Sequence, residues 1–152
     1  MSERPGREID RGVVLVLTLD LQQRIRHVSP GFALTSGYRP DALRGQPFEA
    51  LRHPDMPLQI LREAWQSLAD GTPCVVPLKL RCAEGGHCWA RGAFSQVVDR
   101  RGTLSTLVVL ARMGPLPIRS ASALFASMRT RTTAWLETLA AQPAELDQVL
   151  RW

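Results

Sequence analysis

Three strand-like runs follow one another in the second half of this chain, and they constrain its fold more than any other feature. The runs are Val75–Arg81, His87–Val98 and Leu104–Arg112, and they are separated by Gly85-Gly86 and by Asp99–Gly102. Short connections rich in glycine and aspartate are typical of β-hairpins. The sequence therefore predicts three neighbouring strands joined by tight turns.

The first half of the chain predicts two more strands and three helices. Val13–Leu19 is apolar and β-branched, and Arg24–Val28 alternates after a polar turn, so these two runs predict a hairpin. Short helices are predicted over Pro30–Gly37 and Pro40–Arg44, because proline suits a first helical turn and glycine suits a helix end. A longer amphipathic helix is predicted from Pro57 to Ala69, where leucine and tryptophan recur at helical spacing.

The order of these elements predicts an α+β domain with a five-stranded antiparallel sheet and short helices on one face. A sheet that is half covered by helices leaves a cleft, in which small ligands commonly bind. We place this domain at residues 13–113, after a polar segment at 1–12. The run Gly114-Pro115-Leu116-Pro117 marks its boundary with a C-terminal helical extension at 114–152.

The C-terminal extension carries an apolar stripe of its own. The stripe runs at helical spacing from Ile118 to Leu139 with a break at Thr132, and Pro143 predicts the start of a last short helix. An apolar face outside the main domain has to be covered, either by the domain or by a second copy of the chain. We therefore expect a homodimer formed through this helix, and a signalling protein as a further candidate partner.

Composition and charge argue against several classes of protein. The formal net charge of +5 comes from scattered arginines and a single lysine, which do not form the clustered basic face of a nucleic-acid-binding protein. The apolar runs are too short to span a bilayer and the polar N-terminus lacks a signal-peptide pattern, so we expect a cytoplasmic protein without membrane insertion. The three cysteines match no zinc-binding spacing. Because no phosphate-binding glycine loop and no nucleophile with an evident base occur, we expect no enzymatic activity.

Two motifs resemble the PAS family of sensory domains. Gly31–Tyr38 contains a phenylalanine followed by Ser-Gly-Tyr, and Leu43-Arg44-Gly45 comes after it, which is similar to the general PAS signature. Arg52–Pro57 reads Arg-His-Pro-Asp-Met-Pro, and we call it the hexapeptide. It is similar to the hallmark of the FAD-binding PAS domain of bacterial aerotaxis receptors. The resemblance covers residues 13–113.

The resemblance implies a sensory module for redox or oxygen status, of the kind used in chemotaxis, that holds FAD non-covalently. It further implies that Arg52, His53 and Asp55 of the hexapeptide bind the flavin. Guanidinium and imidazole donors can meet phosphate or carbonyl oxygens, and the indole rings of Trp65 and Trp89 can pack against a flat ring. Charges and hydrogen bonds near the ring would then tune its redox behaviour.

Each of these residues also has a purely structural interpretation. Two prolines bracket the centre of the hexapeptide, so Asp55 is a candidate cap for the next helix and a candidate ion-pair partner of Arg52. His53 is a candidate packed histidine with its hydrogen bonds satisfied. The helical spacing of Trp65 favours the core, whereas Trp89 lies in an alternating strand that leaves both roles open.

Three positions depart from the aerotaxis-receptor pattern. Ser29 and Leu80 stand where that family has asparagine, and Cys74 stands where it has tryptophan. The loss of side chains that hydrogen-bond a polar ring weakens binding, because unpaired polar atoms are costly to bury. The alternative function is therefore a cofactor-free PAS domain that acts in dimerisation or protein interaction.

Overall fold

The computed structural model describes residues 6–141, with side chains up to residue 130. Five strands are present: β1 (Val14–Leu19), β2 (Ile25–Val28), β3 (Cys74–Arg81), β4 (His87–Val98) and β5 (Leu104–Arg112). The helices are α1 (Pro30–Ser36), α2 (Pro40–Leu43), the 3₁₀ helix Phe48–Leu51, α3 (Leu58–Ala69) and α4 (Pro115–Ala141). The predicted elements agree with these bounds to within about one residue, except for the 3₁₀ helix, which was not predicted, and for α4.

The five strands form one antiparallel sheet in the order β2-β1-β5-β4-β3. The first strand pairs with the last at the centre of the sheet, as the partners Val16 and Val109 show. β2 and β3 are the two edges. The predicted five-stranded antiparallel sheet is therefore confirmed.

The sheet has two faces, because successive side chains of a strand point in opposite directions. On β4, Ala90 and Phe94 are buried on the face that α1, α2 and α3 cover, which we call the inner face. Trp89 and Arg91 alternate with them and point to the opposite side, the outer face. Residues that are paired across neighbouring strands share a face, so Lys79, the partner of Trp89, also belongs to the outer face.

The hydrophobic core lies between the inner face and the three helices. Strand residues from β1, β3, β4 and β5 meet the apolar stripe of α3, and each of the following is at most 4% exposed: Leu15, Leu17, Leu61, Ala64, Leu68, Leu78, Ala90, Phe94, Val108 and Leu110. Pro40 and Leu43 bound α2, which packs beside β2. The helices are short and local, so their packing on the sheet supplies most of their stability.

The C-terminal helix α4 lies across the outer face. It begins at Pro115, where proline fits because the first N–H groups of a helix have no partner within it. Phe125, which is 1% exposed, stacks on the ring of Trp89 with centroids 5.6 Å apart. The helix continues through Thr132, where the apolar stripe is interrupted, as far as Ala141. The last short helix predicted after residue 143 lies outside the described residues.

The N-terminal segment, which was predicted to precede the domain, contributes to it from residue 6 onward. Ile9 is 2% exposed and belongs to the core. Arg7 forms a short parallel bridge with Cys88, donates a hydrogen bond to the carbonyl of Thr35 and pairs with Glu84. This segment therefore closes the end of the domain at the β3–β4 turn.

Candidate functional site

Three aromatic side chains fill the cleft between the inner face and the helices. Phe48 of the 3₁₀ helix meets Trp65 of α3 and Phe94 of β4 edge to face, with ring centroids 5.9 and 5.8 Å apart. Trp65 and Phe94 also meet edge to face, at 5.5 Å. Each such pair contributes about 0.5–1.5 kcal/mol beyond the burial of its rings. This aromatic cluster keeps the cleft closed, and Trp65, which is half-buried, lies at its rim.

A small cavity is present next to the inner face. A cavity of about 10 Å³ lies between β3, β4 and α1, with Phe32, Leu80, Cys82 and Cys88 in its wall. That is about the room that one water molecule needs. Leu80 is 4% exposed and presents an apolar side chain here, at a position where the aerotaxis-receptor pattern has an amide. The cleft wall is therefore less polar than the resemblance implies.

Arg52 connects the hexapeptide to the inner face. It forms an isolated antiparallel bridge with Leu80 of β3, which places the two side chains on the same face. Its Nη1 atom donates a hydrogen bond to the carbonyl of Met56 at 2.6 Å. Its Nε atom is buried and has no hydrogen-bond partner among the described residues. A buried donor of this kind is costly unless an acceptor reaches it.

His53 lies on the outer face and is built into the turn of the hexapeptide. Its backbone N–H donates to the carbonyl of Lys79 at 2.9 Å, and its carbonyl accepts the N–H of Met56 at 3.0 Å. Its Nδ1 atom accepts the backbone N–H of Asp55 at 3.0 Å, which assigns the ring proton to Nε2. The ring centroid lies 5.9 Å from that of His87 on β4. The imidazole thus stabilises the local turn.

Asp55 pairs with Lys79, the single lysine of the chain. The Lys79 ammonium donates to the Asp55 carboxylate at 2.8 Å, with side-chain exposures of 9% and 50%. This hydrogen bond is the main reason that the pKa of Asp55 is lowered from its ordinary value, and the positive charges of Lys79 and Arg129 lower it further. The carboxylate is therefore charged at neutral pH and tied to the outer face.

The ion pair is also connected to α4. Arg129 of α4 donates a hydrogen bond to the backbone carbonyl of Asp55. The Lys79 ammonium lies 5.7 Å from the centroid of the Trp89 ring, which is within the range of a cation–π interaction. The other partner of Trp89 is Phe125 of α4, and these two rings are nearly parallel, at 19°. α4 therefore contacts the hexapeptide directly and through β3 and β4.

The structure divides the predicted site residues between the two faces of the sheet. Trp65 and Arg52 lie on the side of the cleft, whereas His53, Asp55 and Trp89 lie on the outer face toward α4. The role of all five in cofactor binding stays a prediction. The structural interpretation of Asp55 needs correction, because its ion pair is with Lys79 and α3 begins without a side-chain cap.

Sequence reasoning missed three residues that the structure brings to this region: Lys79, Phe125 and Arg129. A lone lysine between leucines in a buried strand was the available signal for Lys79, since lysine is rarely buried without a partner. Nothing local distinguishes Arg129 from the other arginines, because its contact is 74 residues away in the chain.

The cysteines have the properties of packed thiols. Burial raises the pKa of Cys88 to about 12, and it also raises the pKa of Cys82 and Cys74. Thiols with raised pKa values are poor nucleophiles, because the thiolate is the reactive form. Among the described side chains, those of residues 6–130, no three of His, Cys, Asp or Glu are grouped closely enough to hold a metal ion. None of the helices within residues 6–141 is long and apolar enough to cross a bilayer.

Comparison with known proteins identifies the family. Residues 25–110, more than half of the chain, match the PAS fold family. The strand order and the helices on the inner face agree with that match. The chain therefore belongs to the PAS family of sensory domains.

Comparison with individual proteins shows which members of the family this chain is similar to. The chain is 38% identical over 91 residues to the aerotaxis receptor of Escherichia coli (strain K12), a match that spans 60% of this chain and 18% of the receptor. A light-oxygen-voltage domain studied with a flavin analogue has a TM-score of 0.61 at 18% identity, covering 77% of this chain and 87% of that one. A PAS domain from Colwellia psychrerythraea has a TM-score of 0.58 at 17% identity, covering 66% and 86%. At these identities the two solved structures establish the shared fold.

Proposed function

We propose that this PAS domain senses redox or oxygen status through a flavin, FAD, that is held non-covalently in the inner cleft. One observation carries the proposal: the buried Nε atom of Arg52 has no hydrogen-bond partner among the described residues. Arg52 belongs to the hexapeptide, which resembles the hallmark of the FAD-binding PAS domain of aerotaxis receptors. The 38% identity to an aerotaxis receptor across the same region supports it. We propose no enzymatic activity.

The residues around the cleft fit a flavin chemically. The rings of Phe48, Trp65 and Phe94 suit a flat aromatic ligand, and the Arg52 N–H suits a carbonyl or phosphate oxygen. A flavin needs far more room than the cavity of about 10 Å³ at this face, and we propose that the aromatic cluster separates to admit it. Trp65 is the side chain best suited to move, since it is already half-buried at the rim.

When bound, a flavin supplies reversible electron uptake, which is the chemistry a redox sensor needs. The protein's own contribution is to bind and orient it. The guanidinium of Arg52 would donate to an acceptor at the edge of the cleft. Phe48 and Phe94 would exclude water from the ring, and a dry site strengthens the hydrogen bond that Arg52 donates.

The same proposal places the domain in the cytoplasm, as an input module for signalling of the chemotaxis type. Its output element is α4, which leaves β5 after two residues and packs on the outer face. A second copy of the chain, or a signalling protein, would receive the signal through α4. The match to 18% of the receptor's length is consistent with a module of a larger system.

The test is an absorbance spectrum of the freshly purified protein, repeated on the supernatant after heat denaturation. We expect flavin bands and release of FAD. Arg52→Gln should bind FAD about 10- to 100-fold more weakly, because a charge-assisted hydrogen bond is worth about 1.5–3 kcal/mol. Arg44→Gln is the matched control, since it removes an exposed arginine that pairs with Asp41 on α2. The proposal is contradicted if the protein is colourless and if added FAD changes neither its absorbance spectrum nor its melting temperature.

A cofactor-free interaction module is the second candidate function. The closed aromatic cluster and the apolar Leu80 favour it, because neither offers a hydrogen bond to a polar ring. It predicts a colourless protein that forms dimers through α4. Leu80→Asn separates the two candidates: gain of FAD binding by this variant, together with a colourless wild type, would indicate that the natural chain has lost its ligand.

A further inference from the structure

The outer face contains a buried lysine that the proposed sensing site does not use. Lys79 is 7% exposed, and its ammonium group is held between the carboxylate of Asp55 and the ring of Trp89. Removing a charged group from water costs several kcal/mol unless it is paired and hydrogen-bonded. At a strand position that faced only a packed helix, an apolar residue would give a more stable fold than a lysine. The contacts of Lys79 therefore point to a role in holding neighbouring elements together.

The elements that Lys79 brings together are the hexapeptide and α4. Its carbonyl accepts the backbone N–H of His53, and its ammonium binds Asp55, so the hexapeptide is fixed to β3 at two points. On the other side Trp89, which lies beneath the ammonium, stacks on Phe125. α4 thus rests on a surface whose charge and shape depend on the ion pair.

The hexapeptide also has residues on both faces of the sheet. Arg52 is on the inner face beside Leu80, whereas Asp55, three residues later, is on the outer face. A tight turn joins them, with the Met56 N–H bonded to the carbonyl of His53. Because Nη1 of Arg52 donates to the carbonyl of Met56, at the end of this turn, a displacement of the guanidinium by an acceptor in the cleft would disturb the turn that holds Asp55.

We propose that the Asp55–Lys79 ion pair is a clamp that docks α4 on the outer face, and that the hexapeptide couples the inner cleft to α4 through this clamp. The docking half of the proposal is independent of any ligand. The coupling half rests on the proposed function, since it needs a ligand in the cleft to displace Arg52. Coupling is reciprocal, so a ligand that loosens the clamp binds more tightly when α4 is already undocked.

Hydrogen–deuterium exchange of the full chain tests the docking half. Asp55→Asn removes the carboxylate charge and keeps the backbone carbonyl that Arg129 contacts. We expect the amides of residues 118–130 to exchange about three- to tenfold faster than in the wild type, because their protection depends on how often α4 opens. The amides of α3 should keep their wild-type rates. Asp41→Asn is the matched control, since it breaks an exposed ion pair with Arg44 at 3.0 Å on α2.

Two further variants keep the test decisive if Asp55→Asn reduces the stability of the whole domain. Lys79→Met removes the other charge while retaining an unbranched apolar side chain beside Trp89, and it should speed exchange in α4 to a similar extent. The double variant should add little to either single change, because both remove the same interaction. The clamp is overturned if both single variants keep the wild-type exchange rates in α4. It is also overturned if Asp41→Asn accelerates exchange in α4 to the same extent.

The failure of the clamp and the failure of the proposed function give different results. If Asp55→Asn loses FAD while α4 keeps its wild-type exchange, the clamp is wrong and flavin sensing stands. If α4 is loosened in a protein that binds no FAD at all, the clamp stands and flavin sensing is wrong. For the coupling half, added FAD should speed exchange in α4 of the wild type, and unchanged exchange at saturating FAD overturns it.

Discussion

Ser29 shows that a departure from a family pattern can be explained within the fold. Its hydroxyl accepts the backbone N–H of Phe32 and so caps α1, and it also accepts the N–H of Val16 at 3.1 Å. Its own N–H donates to the carbonyl of Val16 at 2.8 Å. A serine side chain therefore ties the first helix to β1, as a short polar side chain at a helix N-terminus commonly does.

Asp55 illustrates a different residue-scale effect, in which a carboxylate is held charged by its surroundings. Its pKa is lowered chiefly by the hydrogen bond from Lys79. A group whose pKa is lower in the folded state than in the unfolded chain stabilises the fold above its unfolded pKa. That stabilisation is lost as the pH falls through the folded pKa.

We therefore expect the stability advantage of the wild type over Asp55→Asn to be constant near neutral pH and to shrink in acid. The decline should begin near the ordinary value of 3.8 and continue below it. Urea unfolding of both proteins from pH 6 to pH 2.5 measures this difference. In a Lys79→Met background the dependence on pH should be much weaker, because the main cause of the shift has been removed. A difference that grows in acid would contradict the assignment.

At the scale of elements, β4 contributes to two different packing layers. Phe94 and Ala90 belong to the core, whereas Trp89, on the opposite face of the strand, supports α4. Ala121 and Phe125 of α4 are 6% and 1% exposed, so this helix is part of the folded domain. The proline-rich start of α4 redirects the chain onto the outer face, where the sequence alone indicated only a domain boundary.

Phe125→Ala should lower the free energy of unfolding by about 3 kcal/mol, because it removes a buried ring and leaves a cavity beside Trp89. Ser127→Ala serves as the control on the same helix, since Ser127 is exposed and its loss should change stability by less than about 0.5 kcal/mol. Denaturant unfolding followed by circular dichroism measures both variants. Equal stability of Phe125→Ala and the wild type would show that α4 is not docked in solution.

At the scale of the whole molecule, α4 has apolar residues on both of its sides. Ala121 and Phe125 face the sheet, whereas Leu116 and Leu124 are 70% and 44% exposed. Burial of such residues in a second copy is favourable at about 25 cal/mol per Å². The expected homodimer would use this exposed side of α4.

Light scattering of the full chain should give twice the 16.9 kDa mass of one chain. The double variant Leu116→Glu/Leu124→Glu should return the mass to 16.9 kDa, because two carboxylates would be buried without partners in the interface. Ser122→Glu adds a charge at an exposed position of the same helix between the two leucines and tests whether charge alone is sufficient. A wild-type monomer at all concentrations would refute dimerisation through α4.

The elements of this fold were predictable because their signals are local. Alternating residues, turn glycines and a helical stripe lie within a few positions of one another, and Gly37 ends α1 at a φ of 80°, as its position predicts. The 3₁₀ helix at Phe48 was missed because a single turn has no period to detect. The buried Ile9 was missed because one apolar residue in a polar segment carries no pattern.

The sequence by itself determined the family, the strands and helices, and the residues of the hexapeptide. Only the tertiary structure decided which face of the sheet each of those residues occupies. Arg52 and Asp55 lie on opposite faces because the hexapeptide pairs with β3 at Leu80 and then turns, and that pairing joins residues 28 positions apart in the chain. The partnership of Asp55 with Lys79 and α4 follows from the same long-range register, which no local pattern records.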